Sequence, residues 1–331
     1  MVNFFDEEEF DRKFEEEMKN SSEQLEESII FAMVGDINTG KSSTINQIVG
    51  YECAPTGSMP GYTTEIKKYT YQDNENIIFA DTPGLDDIEK KNSEETLKFF
   101  KEVDVILFFL NAAGTVFSEG EKKYFSLIKK HNKNILFILN KIDAAEDIDS
   151  LVQYVRNHSD SKFKVVPISS KTGQNIEQLK AEIVNILATK KKDLLFAKSI
   201  REKSSIANKW INSAVASAAA VGASPIPGSD IVPITGIQVA LMVKLATIYN
   251  KPLSKDRAKE LIIATLAGNI GKSLFRQVIK VVPGAGSVAG AGVAGGLTLA
   301  LGHGLKYAYE NDIEVDVEFL KDFTRNYNPD K

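Results

Sequence analysis

The sequence predicts a doubly wound, mostly parallel α/β sheet followed by an all-helical apolar unit. Three observations carry that reading. From Ser28 to about Thr189, short apolar runs alternate with stretches of helical periodicity, the pattern of strands feeding crossover helices. Beyond Lys190-Lys191-Lys192, alanine, glycine and β-branched residues dominate and strand patterns disappear. Finally, 331 residues exceed what one compact core usually holds, so a boundary is expected.

Within the first region, strands are expected at Ile29–Val34, Glu65–Tyr71, Ile77–Ala80, Val105–Leu110, Ile135–Leu139 and Phe163–Ile168. Helices are expected at Lys41–Val49, Ser93–Glu102, Glu119–Lys130, Asp147–Asn157 and Asn175–Leu187. Ahead of them, Asp6 to Glu27 holds eleven acidic and three basic residues, with Phe5, Phe10, Phe14, Met18 and Leu25 at roughly helical intervals. That reads as a solvated amphipathic helix with a narrow apolar stripe, packed on the body. The divisions are therefore 1–27, 28–190 and 191–331.

The net charge of −5 gives no electrostatic reason to expect nucleic acid. Cys53 stands alone, and the first residues lack a basic-then-apolar signal, which together suggest a cytoplasmic chain. His131, His158 and His303 have no ligand spacing, so nucleophilic and histidine-metal chemistry find no support.

Four motifs stand at strand ends, in order. Gly35-Asp-Ile-Asn38-Thr39-Gly40-Lys41-Ser42 follows the first strand and opens a helix, the setting a phosphate-binding loop needs. Its glycines let the backbone close around phosphates. Lys41 reaches the β- and γ-phosphates, Ser42 offers a hydroxyl to Mg²⁺, and Thr39 and Ser43 complete the contacts. Asp81-Thr-Pro-Gly84 follows the third strand: Asp81 would hold Mg²⁺ through water, and the Gly84 N–H would sense the γ-phosphate. Asn140-Lys141-Ile-Asp143 follows the fifth strand, where the Asp143 carboxylate accepts two hydrogen bonds from guanine that adenine cannot donate. Lys141 would lie along the base. Ser169-Ser170-Lys171 follows the last strand, with the Ser170 N–H offered to guanine O6. The set reads as a GTP/GDP site with GTPase activity, in which Lys41, Thr63 and Gly84 carry the chemistry.

Between the first two motifs, Thr56 to Thr64 is a turn-rich stretch suited to a switch loop, and Thr63, preferred over Thr64, would complete the Mg²⁺ shell. The residue after Gly84 is Leu85, which cannot orient water. Slow turnover is expected, with help from a carboxylate among Asp86, Asp87, Glu89, Glu94 and Glu95 or from a second subunit in a homodimer through the nucleotide domain.

With these motifs assembled, residues from about Ile29 to Leu187 resemble the TrmE/Era branch of Ras-like GTPases. The P-loop reads Gly-x-x-Asn-x-Gly-Lys-Ser, and Pro60-Gly-x-Thr63 matches the switch pattern. The resemblance implies that Asn38 helps hold a K⁺ ion beside the phosphates. Ser204 to Tyr309 resembles the YcjF-type domain of unknown function, through Pro-Ile-Pro-Gly-Ser-Asp, Ile-Gln-Val-Ala-Leu-Met and Gly-Leu-Thr-Leu-Ala-Leu-Gly. This likeness implies an architecture rather than an activity.

Val281 to Gly302 is uncharged for 22 residues, but seven are glycine, so the favoured reading is a buried, closely packed core. The second reading is peripheral contact with an anionic membrane surface, helped by Lys190–Lys192, Lys198, Arg201 and Lys203. The sequence as a whole reads as a GTP/GDP switch whose helical unit reports to a protein effector or a membrane. Two rivals are a dynamin-like or interferon-inducible-type self-assembling membrane machine and a GTP-binding scaffold without turnover.

Overall fold

The computed structural model describes residues 5–50, 52, 67–71, 74–82, 94–222, 231–267 and 289–326. The chain divides into two compact units, Gln24–Glu202 on one hand and Met1–Glu23 with Lys203–Lys331 on the other.

The first unit is built on β1 (Ile29–Val34), β2 (Lys67–Tyr71), β3 (Asn74–Asp81), β4 (Val105–Asn111), β5 (Ile135–Asn140) and β6 (Lys164–Pro167). They form one six-stranded sheet in the order β2-β3-β1-β4-β5-β6, in which only the β2–β3 pair is antiparallel. β3 starts three residues before the expected Ile77 because Asn74 pairs with Tyr71 of β2. β4 and β5 are Val/Ile/Leu/Phe runs buried along nearly their whole length, as strands covered on both faces must be. The order reverses at β1, which lies between β3 and β4, so the loop after β1 opens at the carboxyl-end crevice where doubly wound sheets bind ligands.

The covering helices are α2 (Lys41–Val49), α3 (Glu94–Glu102), α4 (Glu119–Ile128), α5 (Ile148–His158), α6 (Ile176–Ala188) and α7 (Asp193–Ser199), where α1 is the N-terminal helix Glu7–Glu26. A Ser118–Glu121 capping box starts α4. On one face, Phe108, Phe117, Phe125, Phe137 and Phe163 form an aromatic cluster with ring centroids 5.1 to 6.3 Å apart. The cluster holds Phe117 at φ +53°, a conformation bulky side chains rarely adopt.

Lys190 and Lys192 have a specific task here. Asp104, in the turn before β4, is buried and accepts the Ile30 N–H (3.0 Å), Lys190 Nζ (3.1 Å) and Lys192 Nζ (3.2 Å). Lys192 also bonds the Ser28 carbonyl. Two of the cations expected to offer an anionic membrane surface a basic run are thus bound to the domain's own interior carboxylate.

The second unit contains α1 with α8 (Ser204–Gly222), α9 (Ile231–Ile248), α10 (Lys255–Ala267), α11 (Ala289–Glu310) and α12 (Val317–Asn326). Phe10 and Phe14 of α1 are buried, whereas Met18 is 42% exposed, so the apolar stripe is shorter than its spacing suggests. Lys255 pairs with Asp11 and Glu15, Lys259 with Glu7, and the Ser21 hydroxyl meets that of Thr247 at 2.9 Å. α9 runs unbroken through Pro233 and Gly236, because a proline in the first turn removes an N–H that has no helical partner there. At Gly302 a Cβ would lie 2.8 Å from Ile211 Cγ1, so α8 and α11 meet at a distance only glycine permits. Among the described residues, no helix is long and apolar enough to cross a membrane.

Removing the buried Asp104 carboxylate takes a partner from the Ile30 N–H, from Lys190 and from Lys192, which keeps the Ser28 carbonyl and Glu27, at a cost of about 1–3 kcal/mol. Asp104→Ala is therefore expected to lower the urea midpoint of the sheet unit, followed by circular dichroism, whereas Lys191→Ala at the exposed neighbouring position leaves it unchanged.

Candidate nucleotide site

The loop after β1 is shaped by two close approaches. Gly35 (φ +149°) passes so near β4 that a Cβ would stand 2.6 Å from the Phe109 carbonyl oxygen. At Gly40 (φ +87°) a Cβ would stand 2.2 Å from Asn140 Nδ2. Between them Asn38 takes φ +65°, a left-handed conformation that asparagine tolerates better than most residues. The Thr39 N–H and hydroxyl both donate to the Asp36 carbonyl, at 3.4 and 2.8 Å. α2 then begins with neither an acidic residue in its first turn nor a side-chain cap. Its orphan N–H groups and positive dipole end are left to favour an anion.

Lys41 folds over this loop and donates to the carbonyls of Gly35 (2.8 Å) and Asp36 (3.0 Å). Burial pulls its pKa below the ordinary lysine value, and the carboxylates of Asp81 and Asp36 oppose that shift. Ser42 and Ser43 are half-buried in the first turn of α2. Asp81 closes β3 in register with Met33 of β1. The next residue, Thr82, donates both its N–H (3.2 Å) and its hydroxyl (2.9 Å) to the Met33 carbonyl.

Asn140, at the end of β5, joins the motifs. Fully buried, it donates from Nδ2 to the Thr39 carbonyl (2.8 Å) and Ser170 Oγ (3.0 Å). Its Oδ1 accepts the N–H groups of Lys141 (2.8 Å) and Ser170 (3.0 Å). The Ser170 N–H, read from sequence as a donor to the base, is thus engaged with Asn140. Lys141 turns through φ +68°, and Asp143 follows in a 3₁₀ turn, Ile142–Ala144. Buried Ser169 donates its hydroxyl to Asp143 Oδ1 at 2.6 Å while accepting the Thr172 N–H at 3.1 Å. Exposed Lys171 stands 4.0 Å from Asp143 Oδ2. The Ser169 hydrogen bond holds the Asp143 carboxyl below its ordinary range, and Lys171 and Lys141 add to the effect.

The structure thus brings Gly35, Asn38, Thr39, Gly40, Lys41, Ser42 and Ser43 to one end of the sheet, with Asp81 beside them and Asn140, Lys141, Asp143, Ser169, Ser170 and Lys171 adjoining. Thr63, Thr64, Gly84, Leu85 and Asp86 to Glu89 lie outside the described residues, as do the side chains of Glu94 and Glu95. Sequence reasoning missed the roles of Asn140 as a clamp, Ser169 as the partner of Asp143 and Thr82 as an anchor. Their one sequence signal is a short polar side chain directly beside a strand end.

A strand, a phosphate-type loop and a helix N-terminus, joined through a buried asparagine to a separate carboxylate loop, give the P-loop fold. Residues 30–141 match the family model described as 50S ribosome-binding GTPase, and residues 188–311 match a domain of unknown function, DUF697. GTPase Der of Nautilia profundicola is 32% identical over 196 residues, covering 55% of this chain and 40% of that protein. GTPase Era of Clostridioides difficile is 32% identical over 163 residues, covering 47% of this chain and 54% of that protein. The tRNA modification GTPase MnmE of Fervidobacterium nodosum is 32% identical over 176 residues, covering 51% of this chain and 36% of its own length. The chain spans about half or less of the length of these relatives. Residues 30–141 are thus similar to the GTPase domains of Era, Der and MnmE, and the region after them is similar to DUF697.

Because the pKa of Asp143 is depressed, the carboxylate stays ionised as pH falls below the ordinary aspartate range and is lost only through its lowered folded-state value. Preference for GDP over ADP, measured by competition, should hold from pH 7 down to 5. Ser169→Ala removes the largest cause of the depression, so its preference should decline at a higher pH than that of the parent.

Proposed function

We propose that this chain binds GTP with Mg²⁺, hydrolyses it slowly, and works as a GTP/GDP switch whose state is reported by the helical unit. The observation that carries the reading is the clamp at Asn140. It ties the phosphate loop, through the Thr39 carbonyl, to the loop that positions Asp143, so phosphate and base recognition share one rigid centre. Asp143, held ionised, accepts from guanine N1–H and the 2-amino group. Adenine offers neither donor and leaves a carboxylate unpaired.

The donor chemistry fits Mg²⁺: a hydroxyl at Ser42 and a carboxylate at Asp81 are hard oxygen ligands, and the field of Asp81 reaches Lys41. Bound there, Mg²⁺ supplies positive charge to the β- and γ-phosphate oxygens. Lys41 exchanges the Gly35 and Asp36 carbonyls for phosphate oxygens, and that anionic contact restores the pKa that burial lowers. The N–H groups of Gly40 to Ser43 bind the remaining oxygens. Thr63 and Gly84 complete the site as switch residues, and Asn38 supports a K⁺ ion in the manner its family resemblance implies. With Leu85 where a water-orienting side chain would stand, a homodimer through the nucleotide domain supplies what the single chain lacks. The output partner is a protein effector or an anionic membrane surface. The negative net charge argues against nucleic acid.

The test is GTP hydrolysis by purified protein in potassium and in sodium buffer, with and without anionic liposomes, against Lys41→Ala. Turnover above that blank and stimulation by potassium are expected. Turnover equal to the blank in every buffer, despite GDP binding, would leave a scaffold without catalysis. Asp143→Asn replaces an acceptor with an amide that can donate to the 2-oxo group of xanthine. GDP affinity should fall by about 10³-fold or more and XDP affinity should rise, as read by competition.

A further inference from the structure

α7 stands on both sides of the division between the two units. Its residues fall in the stretch 188–311 that is similar to DUF697, yet by contact it lies inside the compact sheet unit, Gln24–Glu202. Every residue from Asp193 to Ala197 is buried. Phe196 meets Phe31 of β1 with ring centroids 5.6 Å apart, and Phe31 stacks at 4.9 Å on Phe79 of β3, its partner in the ladder. An apolar helix would suffice to cover those rings, but α7 is held more specifically. Asn74 Nδ2, at the first residue of β3, donates to Ser199 Oγ at 3.3 Å, and that hydroxyl donates to the Leu195 carbonyl at 2.8 Å. Just beyond the helix, Arg201 closes on Gly50, the left-handed cap of α2, where a Cβ would stand 3.3 Å from Arg201 Cβ.

We infer that α7 is the coupling element through which the state of the bound nucleotide reaches the helical unit. The three elements it touches are those whose other ends build the nucleotide site: β1 runs into Gly35, β3 ends at Asp81 and α2 begins at Lys41. Each is a short hydrogen-bonded rod, so a shift at the nucleotide end is carried to the part that seats α7. A change in the phosphates that moves Lys41 or Asp81 therefore alters the seat of Phe196 and Ser199. Only Ile200 to Lys203 lies between α7 and α8, and Ile200 is itself buried, which leaves little slack to absorb the movement before the chain enters the second unit. The inference rests on the proposed switch role of the chain.

Trp210, the only tryptophan of the chain, lies in α8, and Lys244 Nζ of α9 stands 4.8 Å from its ring centroid, so its emission responds to how α8 and α9 pack. The test compares Trp210 fluorescence, and amide hydrogen exchange of α8, in the full chain loaded with GDP and with a non-hydrolysable GTP analogue. The parent should differ between the two states. Ser199→Ala, which breaks the link to Asn74, should reduce that difference about twofold or more while GDP affinity and melting temperature stay near the parental values. Phe196→Leu, which removes the ring contact with Phe31, should reduce it further and lower the melting temperature. Phe163→Leu, in the aromatic cluster on the opposite face of the sheet from Phe31, should lower the melting temperature and leave the difference whole. Ser199→Ala and Phe196→Leu proteins that keep the parental difference overturn the inference. So does a loss in Phe163→Leu as large as that in Phe196→Leu, because destabilisation alone would then account for it. A parent that binds both nucleotides and shows no difference in either readout refutes the switch reading itself, and the inference falls with it.

Discussion

Everything in the nucleotide domain turns on one buried amide. Asn140 reaches the phosphate loop with one end and the base-reading loops with the other, and all its hydrogen-bonding directions point inward at a strand end with no solvent to replace a lost partner. A buried, fully satisfied polar group of this kind is costly to disturb and leaves little choice of geometry. The glycine at position 40 follows from it, because no side chain fits against Asn140 Nδ2. So does the left-handed turn at Lys141, which releases the chain toward Asp143. The phosphate site and the base site are therefore one constrained object built from two distant stretches of chain.

The same economy appears at the far end of the sheet and in the helical unit. Asp104 gathers two lysines and a strand N–H, tying the connection between α6 and α7 to the start of β1. In the helical unit, α8 and α11 are brought together at Gly302, and buried Gln238 and Thr298 face each other at 3.4 Å. Glycine there serves close packing between helices, which is why a long uncharged stretch need not signal a membrane segment.

The order of strands and helices was legible because burial on both faces writes itself as unbroken apolar runs at β4 and β5, and because Lys41 to Val49 follows its loop without ambiguity. The motif residues were legible for a related reason: phosphate and guanine demand particular groups at particular strand ends. Asn140 was read as part of a base motif, yet its clamp is a contact between residues about a hundred positions apart, which no local pattern records. The roles of Ser169 as partner of Asp143 and of Thr82 as an anchor escaped for the same cause, since a serine or threonine beside a strand end is common. The contacts of Lys190 and Lys192 with Asp104 were not legible either, because charge composition shows that cations are present and not which carboxylate they face. The exposure of Met18 was likewise invisible to periodicity, which gives a face and not the extent of what covers it.

The most direct test of this account is the GDP affinity of Asn140→Ala, measured by competition with a fluorescent GDP analogue under conditions where its melting temperature shows it folded. Loss of the clamp leaves the Thr39 carbonyl and the Ser170 N–H and hydroxyl without their shared partner, a cost of roughly 2–4 kcal/mol, so affinity should fall by about 30- to 1000-fold. A folded variant that binds GDP within about twofold of the parent, on the scale where 1.4 kcal/mol is tenfold, would show that the two halves of the site do not depend on one another.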